Sequence, residues 1–166
     1  MTAEDLEASV KVFESVTELA ESVGTTIGTS RWFEIDQARI DQFAAVTEDQ
    51  QWIHVDPVRA AEGPFGATVA HGYLTLALAS PIVADVLHIK DLAQGINYGL
   101  GKVRFPGPVA AGSRLRGTLS LISATPIGGG VQADFRLVVE VADQDRPACV
   151  ADLVIRLYGE PTPAAR

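Results

Sequence analysis

Cysteine is almost missing from this chain, with one residue, Cys149, in 166. That excludes an internal disulfide framework and any cysteine cluster for zinc. Cations are in the minority, 13 Lys and Arg against 21 Asp and Glu for a net charge of −8. A general nucleic-acid binder draws most of its affinity from a basic surface, so that class is disfavoured. No apolar run reaches the roughly 20 residues of a membrane helix; the longest, Gly72 to Ala84, is interrupted by Pro81 and followed by Asp85. The opening residues MTAEDLEAS are acidic and lack the basic and then apolar regions of a secretory signal, so the chain reads as cytoplasmic. Also absent are a G-x-S-x-G nucleophile elbow, a G-x-x-x-x-G-K phosphate loop and a G-x-G-x-x-G turn between a strand and a helix. Serine hydrolases and nucleotide-binding folds are thereby set aside.

What is present suits one domain of ordinary size. Residues 1–12 and 161–166 read as loose ends around a single domain over 13–160. Phe13, Val16, Leu19 and Ala20 form one helical stripe, which Gly24 ends. Arg31 to Ile35 alternates like a strand, and Asp36 caps a helix that turns Ile40, Phe43 and Ala44 inward. Asp56-Pro57 starts a short helix that stops at Gly63. From Gly72 the chain enters its most apolar helical stretch, GYLTLALAS, expected to kink at Pro81 and to continue to about His88. After Gly95 come four strand-like runs, with breaks at 106–108, 126–130 and 143–147. A long apolar helix followed by a long antiparallel sheet has an evident packing solution, an α+β domain whose sheet curls around the helix. Cys149, in an alternating apolar run, reads as buried packing.

The chemistry concentrates between Asp49 and Gly72. Asp49 and His54 are five apart, a spacing that sends two side chains to opposite faces of a strand and about 140° apart on a helix. Only an irregular turn brings them together, and if they converge they can hold and activate one water by acid–base catalysis. The alternative places His54, between Ile53 and Val55, as the solvent-facing member of a half-buried strand. Gly72 stands at the start of the apolar helix, where backbone N–H groups have no intrahelical partner, and without a Cβ it lets a ligand carbonyl approach. It is therefore a candidate oxyanion donor; the alternative is that it permits close packing of helix on sheet. His71 reads as structural, and Asp49, His54, Asp56 and His71 fit no common metal spacing, so no metal is expected.

The span from Phe43 to Ala79, with AVTEDQQWIHVDP and then AHGYLTLAL, resembles the MaoC-like dehydratases, and within them the (R)-specific enoyl-CoA hydratases. The run INYGLGKVRFPGPVAAGSRLRG extends the likeness over most of the chain after residue 30. The family's motif is an acidic residue, usually x-Asn-Pro, an aliphatic residue and His. This chain matches at Asp49, Ile53 and His54 and departs at Gln51-Trp52. The resemblance implies a single hot-dog domain, Asp49 and His54 as the catalytic dyad, Gly72 N–H as the oxyanion donor and Ser80 as a polar neighbour that orients the dyad. It also implies no cofactor beyond the coenzyme A carried by the substrate.

The reaction so implied is hydration of a trans-2-enoyl thioester to the (R)-3-hydroxyacyl thioester, and its reverse, with Asp49 expected as base and His54 as acid. A thioesterase on the same fold and a non-catalytic acyl-CoA-binding partner subunit are the alternatives. Lys102 with Arg104, and Arg114 with Arg116, are candidate contacts for coenzyme A phosphates, each pair projecting from one strand face; the alternative is a solvated sheet face. Fold-mates of this kind join sheets edge to edge, so a homodimer with an acyl tunnel near its interface is expected.

Overall fold

The computed structural model describes residues 10–160. Of the two expected loose ends, residues 1–9 and 161–166 lie outside the described residues, whereas Lys11 and Val12 belong to a strand. The elements in chain order are β1 (Lys11–Phe13), α1 (Val16–Ala20), β2 (Thr26–Thr29), β3 (Phe33–Ile35), α2 (Gln37–Thr47), α3 (Trp52–Val55), α4 (Pro57–Ala61), α5 (Gly72–Ala77), α6 (Ala79–Val86), β4 (Leu87–Ile89), β5 (Leu92–Arg104), β6 (Ser113–Ile127), β7 (Gly130–Val141) and β8 (Cys149–Gly159).

One antiparallel sheet runs β2-β6-β7-β8-β5, with β3 also on β6, and β1 pairs with β4 in parallel beside it. Alternation makes this sheet one-sided. Leu115, Leu119 and Leu121 of β6, Ala133, Phe135, Leu137 and Val139 of β7, and Cys149, Ala151, Leu153 and Ile155 of β8 are all buried. Against them α5 and α6 turn Leu74, Leu78, Ile82 and Val86, at successive spacings of four, so that one stripe of the helix meets the concave face. Each such side chain contributes about 1.5–3 kcal/mol by leaving water. A central helix wrapped by a curved antiparallel sheet is the hot-dog architecture.

The central helix breaks at Leu78 rather than kinking at Pro81. A proline has no N–H for the carbonyl four residues back, and its ring crowds that carbonyl. Restarting at Ala79 puts Pro81 in a first turn, where no such bond is owed. The helix then ends at Val86, and His88 is an exposed residue of β4 paired with Val12. The break expected at 126–130 is narrower: β6 runs through Pro126 to Ile127, and Gly128-Gly129 alone make the turn to β7. Beyond Leu121, β6 pairs with β7 alone among the described residues, and an edge is where a strand tolerates proline.

Gly117 fixes how closely the helix approaches the sheet. A Cβ there would come 2.7 Å from Ile82 Cγ2 and 2.9 Å from Leu137 Cδ1, and both side chains are fully buried with nowhere to retreat. Gly117→Ala is expected to lower stability by about 1–3 kcal/mol through overpacking, read as a lower urea midpoint with an unchanged slope.

Candidate active site

Asp36 caps α2 by accepting from Arg39 N at 2.8 Å, and Asp56 caps α4 by accepting from Arg59 N at 3.0 Å with Pro57 at its first position. Between these two helices the chain reverses. Glu48, at the end of α2, takes the left-handed conformation with φ of 60° and turns Asp49 out of the helix. His54 then sits on α3, a single helical turn. That left-handed residue supplies the irregular turn that the five-residue spacing requires, and His54 is not a strand residue.

The His54 ring is buried and its Nδ1 lies 2.6 Å from the carbonyl of Val69. A carbonyl only accepts, so Nδ1 carries the proton and donates. Nε2 of the neutral ring therefore keeps its lone pair. The clamp is reinforced from the backbone, where Val69 N donates to Ile53 O at 3.0 Å. Gln37 adds a second brace: its Nε2 donates to His54 O at 2.8 Å, and its Oε1 accepts from Thr68 Oγ1, next to Val69. Burial, the largest influence, holds the His54 pKa below the usual 6.5; the neighbouring His71 acts in the same direction, while the Val69 hydrogen bond and Asp49 oppose it.

His71 lies flat against His54, ring centroids 3.7 Å apart and planes 24° off parallel. Its Nε2 donates to the main-chain carbonyl of Asp49 at 3.0 Å and is 4.0 Å from Asp49 Oδ2. One side-chain atom from each of Asp49, His54 and His71 falls within 4.8 Å of the others. As a metal site the arrangement is poor. Each ring spends one nitrogen on a carbonyl, and two nearly parallel stacked rings direct their in-plane lone pairs alongside each other rather than to one point.

His54 opens onto a cavity of about 370 Å³ that is also lined by Phe65, Gly72, Thr75 and Phe105. Asp49 is not part of that lining; its side chain, 51% exposed, stands to one side. Gly72 is the first residue of α5, and a Cβ on it would meet the Phe105 ring at 3.1 Å. What packs closely on Gly72 is thus an aromatic side chain at the end of β5, not the sheet backbone.

The other expected residues are placed elsewhere. Ser80, two turns along the helix, accepts from Asn97 Nδ2 at 3.1 Å and lines a separate apolar cavity of about 340 Å³ with Leu76, Val83 and Leu100. It is not among the residues lining the cavity onto which His54 opens. Arg116 is ion-paired with Glu140 and lies 4.5 Å over the Trp32 ring, with Arg114 over the same ring at 5.4 Å. These two arginines are therefore built into the outer face of the sheet. Lys102 and Arg104 are exposed on β5, Arg104 directly before Phe105. A bulge sets Gly101 and Lys102 together opposite Asp152, and beyond it Arg104 pairs with Val150, so the two cations keep one strand face as their spacing predicts. Gln37, Thr75 and Phe105 escaped the sequence reading. Thr75, three residues after Gly72 in an apolar helix, was the one with a visible signal, a lone hydroxyl on a helical face.

The family described as MaoC like domain matches residues 18–138. The 3-hydroxyacyl-thioester dehydratase Z of Mycobacterium tuberculosis is 49% identical over 148 residues, covering 89% of this chain and 98% of that protein. Among solved structures, the R-hydratase PhaJ1 from Pseudomonas aeruginosa in the unliganded form matches with a TM-score of 0.69 at 24% identity, covering 96% of this chain and 97% of that one. The (R)-hydratase from A. caviae involved in PHA biosynthesis matches with a TM-score of 0.64 at 21% identity, covering 81% and 96%. These two share the fold.

Nitrogen-detected NMR of the histidine rings checks the imidazole assignment. At pH 7.5 His54 should show a protonated Nδ1 and a bare Nε2, with a titration midpoint below 6.5. Because a depressed pKa keeps the ring neutral down to lower pH, any reaction that uses the free Nε2 loses rate only as pH falls through that depressed midpoint.

Proposed function

The chain belongs to the MaoC-like domain family, and from that premise we propose that it adds water to trans-2-enoyl thioesters and, in reverse, dehydrates (R)-3-hydroxyacyl thioesters. It is a hydro-lyase of the 3-hydroxyacyl-thioester dehydratase and (R)-hydratase class. The observation that carries the residue assignment is the convergence of Asp49 and His54 beside a cavity that reaches Gly72. One ring nitrogen of His54 and one carboxylate oxygen of Asp49 lie no more than 4.8 Å apart, a span that one water at about 2.8 Å from each can bridge.

In this reading the thioester carbonyl accepts from Gly72 N–H, which draws electrons from the double bond and leaves C3 electrophilic. Water lies between Asp49 and the bare Nε2 of His54. As its oxygen bonds to C3, His54 takes its proton, Asp49 holds the remaining O–H and balances the imidazolium, and charge collects on the carbonyl oxygen. Collapse of that enolate as the His54 imidazolium delivers its proton to C2 completes the addition and returns the ring to its neutral form. In this reading the resting tautomer supports His54 as the base and Asp49 as the orienting partner, where the sequence alone favours Asp49 as base. A thioesterase reading lacks any observation that favours it over hydration; release of free thiol instead of loss of the enoyl absorbance would reveal it.

The acyl chain has an apolar route along the central helix, past Leu76 and Val83 toward β5. That strand is also where we place a second copy. β5 is 13 residues long, pairs only with β8 among the described residues, and exposes Ile96, Tyr98 and Leu100, with Tyr73 and Phe105 beside it. Such an edge is an invitation to pairing, and a homodimer built there brings two acyl routes to the interface. With Arg114 and Arg116 engaged on the outer face, Lys102 and Arg104 are the cations best placed to meet the phosphates of coenzyme A.

Asp49→Asn and His54→Ala should each lower kcat for crotonyl-CoA hydration at least about a hundredfold with circular dichroism unchanged; wild-type turnover in either removes the assignment. Light scattering at micromolar concentration should give twice the chain mass, and Leu100→Asp should shift it toward one.

A further inference from the structure

We propose that His71 is a positioning residue of this site, one side chain that holds Asp49, His54 and the Gly72 amide in a common frame. The inference rests on the hydration reading and deepens it, since nothing in that reading requires an imidazole at position 71.

Three contacts converge on the residue. Its Nε2–H fixes the main chain of Asp49 through the 3.0 Å bond to that residue's carbonyl. Asp49 is otherwise half exposed and follows a left-handed Glu48 in a segment with no strand or helix to hold it. Its ring lies 3.7 Å from the ring of His54 and covers one face of it. Its backbone starts α5, because the His71 carbonyl accepts from Thr75 N at 3.2 Å, and the next residue is Gly72. A shift of His71 therefore moves the carboxylate, the imidazole and the amide donor relative to one another, and misplacement by about an ångström is costly to a reacting pair.

The competing account is that His71 only fills space between Phe43, whose ring centroid is 5.0 Å away, and His54. A phenyl ring would fill that space better. His71 is 2% exposed and its Nδ1 is buried with no hydrogen-bond partner among the described residues, an arrangement that is destabilising for a polar atom. What imidazole supplies and phenyl does not is the donor to Asp49. The unpaired Nδ1 is the consequence of committing Nε2 to that task.

The test uses the full chain and crotonyl-CoA hydration, with His71→Phe, His71→Gln, Asp49→Asn and the double variant His71→Phe/Asp49→Asn. His71→Phe should lower kcat at least about tenfold while KM stays within about twofold and the urea midpoint does not fall. His71→Gln, which offers an amide N–H to the Asp49 carbonyl, should recover several-fold of that loss. On the Asp49→Asn background His71→Phe should add little, because its effect passes through Asp49. Wild-type kcat in His71→Phe, equal losses in the Phe and Gln variants, or a loss that multiplies fully with Asp49→Asn would each overturn the inference. Should His71→Phe not fold, His71→Gln decides, with kcat within about tenfold of wild type supporting it and a greater loss opposing it. Full activity in Asp49→Asn would instead remove the hydration reading itself, so the two failures are distinguishable.

Discussion

The hydrogen bond from His54 Nδ1 to the Val69 carbonyl, 2.6 Å long and buried, is the constraint on which the rest of the site depends. It decides which nitrogen of the ring is bare and so able to accept a proton. It also ties a one-turn helix to the segment that leads into the central helix. The two halves of the site, separated by the loop around Gly63 and Gly66, meet through this contact. Gln37 doubles the tie by gripping the main chain of His54 with one amide atom and Thr68 with the other. A side chain with both amide atoms satisfied has little freedom left, so the brace costs little entropy once the fold is made.

Burial and charge then act on the same ring. Removing His54 from water disfavours its charged form more strongly than Asp49 and the Val69 carbonyl favour it. A neutral imidazole beside a carboxylate is a pair in which one partner is ready to accept and the other to stabilise what has been accepted. The fold keeps these groups still by anchoring the central helix elsewhere. Ile82 and Val86 are fully buried against β6, with Gly117 setting the distance of approach.

The fold was largely legible because its determinants are periodic. Alternation in β6, β7 and β8 and the four-residue stripe on the helix are properties of residue type and spacing, and they survive in the structure almost unchanged. Asp36 and Asp56 were equally visible, since a cap acts on its own next turn. The errors arose where a residue's effect depends on a distant partner. Pro81 moves the helix break upstream to Leu78 because its ring acts on the preceding turn. Pro126 is tolerated because that end of β6 lacks a second neighbour, a matter of topology. Arg116 resembles a free cation until β7 brings Glu140 against it. Asp49, His54 and Gly72 stand out as a motif, but which nitrogen of His54 carries the proton is set by a carbonyl fifteen residues away, and no sequence pattern announces that. Ser80, carried over by resemblance, faces Asn97 and a different cavity within its own chain.

At Leu78 the central helix passes from one short cylinder to the next while staying right-handed, with φ of −68° and ψ of −8°, and it keeps the bonds from Leu78 N to Leu74 O and from Ile82 N to Leu78 O. The downstream cylinder is locked into the barrel of side chains below it and bears the load of cohesion. The upstream one, six residues long, holds Leu74 and Thr75 in the same buried stripe and begins with the Gly72 amide beside the cavity. Leu74 in the first piece and Ile82 and Val86 in the second share one buried stripe, so whatever loosens one cylinder is felt at the other.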